Sequence, residues 1–154
     1  MLGAAARAVG NRLRVPGPAL IMGDLWLPSL LTDGEAIRVI DWEFAHAGQP
    51  AQDLGHLLAH LWMHARMATR ARAADLDAVR VQVVTGYAEA GGVLGPAVRQ
   101  EASRHAGCEM LARIAGPFAS RFVFANSAPT SPEVEQAIAT ASRAIAGEDG
   151  PWWS

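Results

Sequence analysis

The chain has 154 residues and a mass of 16.3 kDa, with 51% hydrophobic and 18% charged residues. That supports one folded domain able to bury roughly 70% of its unfolded surface, and it excludes a disordered chain. A net charge of −2, a pI near 6.2, a single cysteine and no apolar run of ~18 residues exclude a dedicated nucleic-acid binder, a disulfide scaffold and a membrane-spanning helix.

Residues 1–18 form the first segment. It has no acid, carries Arg7, Arg12 and Arg14, and breaks at Pro16-Gly17-Pro18. Its composition is similar to that of a mitochondrial transit peptide; the plainer reading is a helix and linker leading into the domain. The domain itself is expected over 19–147, with 148–154 as a tail carrying Trp152 and Trp153.

Short strands are predicted near 20–22, 29–31 and 37–40, the last two joined by a Thr32-Asp33-Gly34 turn. Asp24 and Asp41 each follow a strand, where a side chain can project into a cleft. From there the pattern is helical. Leu54, Leu57, Leu58, Leu61 and Trp62 have helical spacing over Asp53 to Arg66, with Pro50 as a start signal. A second helix is predicted from Ala73 to Ala90, stopped by Gly91-Gly92. A third runs from Gly95-Pro96 to Gly116, and a last one from Ser131 to Ala146. Residues 117–130 read as irregular or partly helical. The fold class is therefore mainly α with a small β-hairpin.

The chemistry concentrates in residues 23–55, GDLWLPSLLTDGEAIRVIDWEFAHAGQPAQDLG. Two aspartates after short strands suit phosphoryl transfer. That reaction needs one carboxylate to orient the attacking hydroxyl and accept its proton, and oxygen ligands for the Mg²⁺ that bridges the phosphates. Asp24 fits the first task and Asp41 the second. Glu43, two residues on, points the same way as Asp41 in an extended segment.

These motifs resemble the aminoglycoside phosphotransferase and choline kinase family, within the protein-kinase-like superfamily. The matching residues are Gly23-Asp24-Leu25-Trp26, then Ile40-Asp41-Trp42-Glu43, then Gly48 and Asp53-Leu54. The run from Arg104 to Arg113 looks like a later helix of the family. The resemblance implies Asp24 as catalytic base, Asp41 as metal ligand, and Asp53 as a structural brace of the catalytic loop. It also implies ATP and Mg²⁺ as cofactors and a small-molecule hydroxyl as acceptor (one that is often cationic). A cytoplasmic setting is expected by default, from no secretory signal, one cysteine and ATP as the implied cosubstrate.

The departures are specific. Met22 stands where the family has a loop histidine, Leu27-Pro28 replaces Pro-Gly, and Ser29 replaces a metal-binding asparagine. Serine at that place and an Asp-x-Glu second motif resemble methylthioribose kinase, so Ser29 and Glu43 are further candidate metal ligands. Family members carry an N-terminal lobe with a nucleotide-contacting lysine. Here 23 residues precede Asp24, all 13 basic residues are arginine, and there is no lysine. The expectation is a kinase-like C-terminal lobe lacking the N-terminal lobe. Such a lobe would be impaired alone and prone to self-association through its uncovered face. The alternatives are half of a split kinase, whose N-terminal lobe is a separate partner, or a non-catalytic module binding a small ligand or a partner protein.

Other residues carry plainer expectations. His56, His60 and His64 read as a polar helix edge facing the substrate side or solvent, not a zinc site. Cys108 reads as a core thiol, Trp42 and Trp62 as core packing, and Trp26 as a cleft-lining ring. Arg66, Arg70 and Arg72 read as a solvated helix end, and Arg104 and Arg113 as surface or buried-pair residues.

Overall fold

The structure is a computed structural model that describes residues 2–116, 124, 127–128 and 130–153. Most of 117–130, expected to be irregular, lies outside the described residues. The architecture is mainly helical with two small antiparallel sheets, an α+β arrangement.

The first helix, α1 (Leu2–Arg12), leads into β1 (Ala19–Ile21). A hairpin of β2 (Leu30–Thr32) and β3 (Ile37–Val39) follows. The strand β4 (His46–Gly48) was not anticipated from the sequence; it is too short and too small-residued to give a strand signal. It pairs antiparallel with β1 in the register Ala19↔Gly48, Leu20↔Ala47, Ile21↔His46. The hairpin registers Leu30↔Val39, Leu31↔Arg38, Thr32↔Ile37. Its turn is built by Asp33, whose Oδ1 accepts from the amides of Glu35 (3.1 Å) and Ala36 (2.9 Å). Gly34 there takes φ +95°, a conformation that a side chain would oppose.

The helices are α2 (Pro50–Met67), α3 (Arg70–Glu89), α4 (Pro96–Ala115) and α5 (Pro132–Ala146). α2 and α3 begin three residues before the predicted starts at Asp53 and Ala73. Pro50 opens α2 in its first turn, and Thr69 sits at the cap position of α3. Ser131 caps α5, its Oγ accepting from the Val134 amide at 3.4 Å, and Gly147 ends it at φ +105°.

The core lies between α2, α4 and α5, where Leu58, Trp62, Met63, Met110, Val134 and Ala141 are buried. Two glycines allow close helix approach. A Cβ on Gly55 of α2 would collide with the Ala102 carbonyl of α4. One on Gly107 of α4 would come within 2.6 Å of the Ala141 carbonyl of α5.

Two tryptophans depart from the sequence reading. Trp42 is 50% exposed rather than core, its indole N–H donating to the Val39 carbonyl at 2.8 Å. Trp152, placed in the tail from sequence, is fully buried and joins the core. Ser103 Oγ accepts from both indoles there, Trp152 Nε1 at 3.2 Å and Trp153 Nε1 at 2.9 Å. Arg80 on α3 donates to the Trp152 carbonyl at 2.6 Å, tying α3 to the same turn.

Candidate functional site

The loop after β1 is fixed by the first turn of α2. Asp53 accepts from the amides of Met22 (2.7 Å, Oδ2) and Gly23 (2.9 Å, Oδ1). The Gln52 side chain donates to the Gly23 carbonyl at 2.7 Å. Gly23 has φ +86°, and a Cβ there would come within 2.6 Å of the Phe44 carbonyl. Only glycine meets both demands. The loop and the segment carrying Asp41 therefore lie against one another. The Ile40 amide completes this by donating to the Ser29 carbonyl at 2.9 Å.

Asp24 leaves this pinned backbone with its side chain about one-third exposed and its Oδ1 3.5 Å from Arg113 Nη2. Asp24, His56 on α2 and Glu109 on α4 each offer a ligand atom within 4.8 Å of the others. Burial, then the Glu109 charge, raise the Asp24 pKa, against the lowering effect of Arg113, His56 and His60. Burial also pushes Asp53 up, outweighing its backbone donors.

Glu109 is the hub. Its Oε1 accepts from His60 Nε2 at 2.8 Å and from Arg113 Nε at 2.7 Å. Burial opposes its ionisation, but the His60 bond, the His56 charge and the Arg113 pair outweigh that and hold it down at about 2. Burial lowers His56 to about 4, so the ring is neutral at pH 7, and its Nδ1 is buried with no hydrogen-bond partner. The Arg113 guanidinium lies 4.8 Å from the Trp26 ring centroid, and His60 meets that ring edge-on at 5.8 Å.

Of the three histidines, His60 is buried rather than solvent-facing, while His56 and His64 are partly exposed. His60 is 1% exposed because Glu109, remote in sequence, reaches it from α4. Glu109 and His56 were missed as site residues; nothing local in the sequence marks a long-range partner. The run from Arg104 to Arg113 was noted, and it is the stretch that carries Glu109.

The other candidates stand apart. Asp41 and Glu43 are exposed, and neither side chain has a hydrogen-bond or ion-pair partner among the described residues. Asp41 takes φ +64°, the only positive φ of a non-glycine residue described. Neither acid joins the Asp24 cluster. Ser29 is fully buried, and its hydroxyl donates to the Trp26 carbonyl at 2.7 Å while accepting from the Trp26 amide at 3.3 Å. Those bonds commit it to the loop. Cys108 is half-buried, and burial pushes its thiol up to about 11, so it is unreactive. Arg66 is exposed and lies over Trp62, 4.8 Å from the ring centroid.

A family model described as the phosphotransferase enzyme family matches residues 4–93, more than half of the chain. The chain belongs to the phosphotransferase enzyme family. The match takes in the Asp24 loop, the Asp41 motif and the Asp53 brace, and stops before α4. No curated protein matches the chain. Among the described residues, no helix is long and apolar enough to cross a membrane.

Proposed function

We propose that this chain is the catalytic-loop lobe of a kinase-like phosphotransferase, acting on a hydroxyl of a small molecule with ATP as donor. The supporting observation is the loop itself. A backbone pinned by Asp53 and Gln52 presents one partly exposed carboxylate, Asp24, beside a second acidic segment. In this reading Asp24 orients the acceptor hydroxyl and takes its proton. The acceptor oxygen bonds to the terminal phosphorus, and the bond from that phosphorus to the bridging oxygen breaks, releasing ADP.

Mg²⁺ fits the second segment. Asp41 and Glu43 offer two hard oxygen donors that are exposed and unpartnered among the described residues. When bound there, the ion neutralises charge on the phosphates. Ser29 does not fit as a third ligand, because its hydroxyl is turned into its own loop. Trp26, stacked under the Arg113 that faces Asp24, is the ring this reading assigns to the acceptor side. These 154 residues contain no lysine, so among them arginine and a bound Mg²⁺ are the cations that can meet the nucleotide phosphates.

Calorimetric titration of the purified chain with Mg·ATP tests this. Saturable binding that needs Mg²⁺ and is lost in Asp41→Ala is the expected result. Absence of binding removes the nucleotide half of the reading and leaves a ligand-binding role for the acidic cluster.

A further inference from the structure

The Asp24 cluster has a property that phosphoryl transfer does not call for. One imidazole and two carboxylates, from the β1 loop, α2 and α4, converge within 4.8 Å. We infer that Asp24, His56 and Glu109 form a binding site for a divalent transition-metal ion of the Zn²⁺ class.

The donor set decides the class. Mg²⁺ and Ca²⁺ take oxygen ligands, whereas imidazole with carboxylate suits zinc, manganese or iron. Metal–donor bonds of ~2.0–2.2 Å place tetrahedral donors ~3.4 Å apart, so small side-chain rotations close the observed span. Outer partners already orient the ligands. His60 and Arg113 both hold Glu109 Oε1, and Arg113 also faces Asp24.

Two features point to a bound cation. The Asp24 and Glu109 carboxylates approach each other at a partly buried place and share Arg113, which lies 3.5 Å from Asp24 and 2.7 Å from Glu109. His56 also keeps a buried Nδ1 with no hydrogen-bond partner, a state that buried polar atoms rarely show. A cation offsets the shared negative charge and takes the His56 nitrogen that faces the two carboxylates. The exposed side of Asp24 gives an entry path.

This site is separate from the Asp41–Glu43 segment and needs no nucleotide. One consequence alone rests on the kinase reading: a metal held by Asp24 occupies the proposed base and suppresses transfer.

The test is Zn²⁺ titration of the full chain by calorimetry without nucleotide, with Co²⁺ absorption as a second readout. One equivalent should bind. His56→Asn and Glu109→Gln should each weaken the affinity at least tenfold, and Asp41→Ala should leave it within twofold. Absence of binding, or affinity unchanged in both cluster variants, overturns the site. Where either variant fails to fold, the imidazole NMR signals of the unmodified chain decide. A Co²⁺-shifted His56 ring supports the site, and an unshifted one refutes it. Failure of the Mg·ATP titration leaves this result standing.

Discussion

Asp24 and Glu109 meet in one cluster, yet their surroundings move them in opposite directions. Glu109 has two charge-assisted hydrogen bonds that outweigh its burial, while Asp24 has one longer ion pair and a neighbouring negative charge. His56, facing Glu109, Asp24, His60 and His105, is kept neutral by burial, down at about 4 from an ordinary 6.5. The unfolded chain therefore binds a proton on His56 between these values and the folded chain does not. Stability contributed by His56 is complete above pH 6.5 and is lost as pH falls towards 4, by up to about 3 kcal/mol. Below that, Glu101 and Glu109, both held at about 2 against an ordinary 4.5, lose their contribution as pH falls from 4.5 to 2. Melting curves should show Tm falling in the upper window for the native chain, and a flatter profile there for His56→Asn. Equal slopes would contradict the burial argument.

Asp53 is the other decisive residue. Asp53→Asn sets an amide N–H₂ against one of two backbone donors. It should cost about 1–3 kcal/mol in urea unfolding. Amide exchange at Met22 and Gly23 should accelerate more than exchange in the α2 interior; unchanged exchange would mean the loop is held by other contacts.

At the scale of elements, the site exists because α2 and α4 pack closely enough for His60 to reach Glu109. Gly55 permits that approach, since any side chain there meets the Ala102 carbonyl. Gly55→Ala should separate the helices, costing about 1–3 kcal/mol. It should also weaken the His60–Glu109 bond. The readouts are a lower urea midpoint and a changed chemical shift of the His60 Nε2 signal by NMR, against neither for Gly86→Ala, whose Cβ position on α3 is open. The helices themselves were legible because their apolar spacing and Pro or Gly boundaries are local signals. The strand β4 was not, since its pairing with β1 comes from chain geometry rather than from side chains.

At the scale of the molecule, the end of the chain closes the core. Trp152 sits among α2, α4 and α5 residues, with its carbonyl held by Arg80 and its indole by Ser103. Trp152→Ala should cost about 3–5 kcal/mol, measured by denaturant unfolding. A loss below 1 kcal/mol would show that 148–154 is the detached tail its polar, Gly-Pro sequence suggests.

The sequence by itself determined the helices, the hairpin and the family. Each rests on residues close together in the chain: apolar periodicity, an Asp-Gly turn, and two acidic motifs at fixed spacing. Asp53 lies in the same stretch, thirty residues after the Gly23 whose amide donates to it. The tertiary structure alone decided what surrounds Asp24. Glu109, His56, His60 and Arg113 come from helices packed on one another. Which of them share a buried space depends on close helix approach, and no local pattern encodes that. The same holds for the two tryptophans. Burial of Trp152 and exposure of Trp42 follow from where the chain returns to the core, not from the hydrophobicity of the ring.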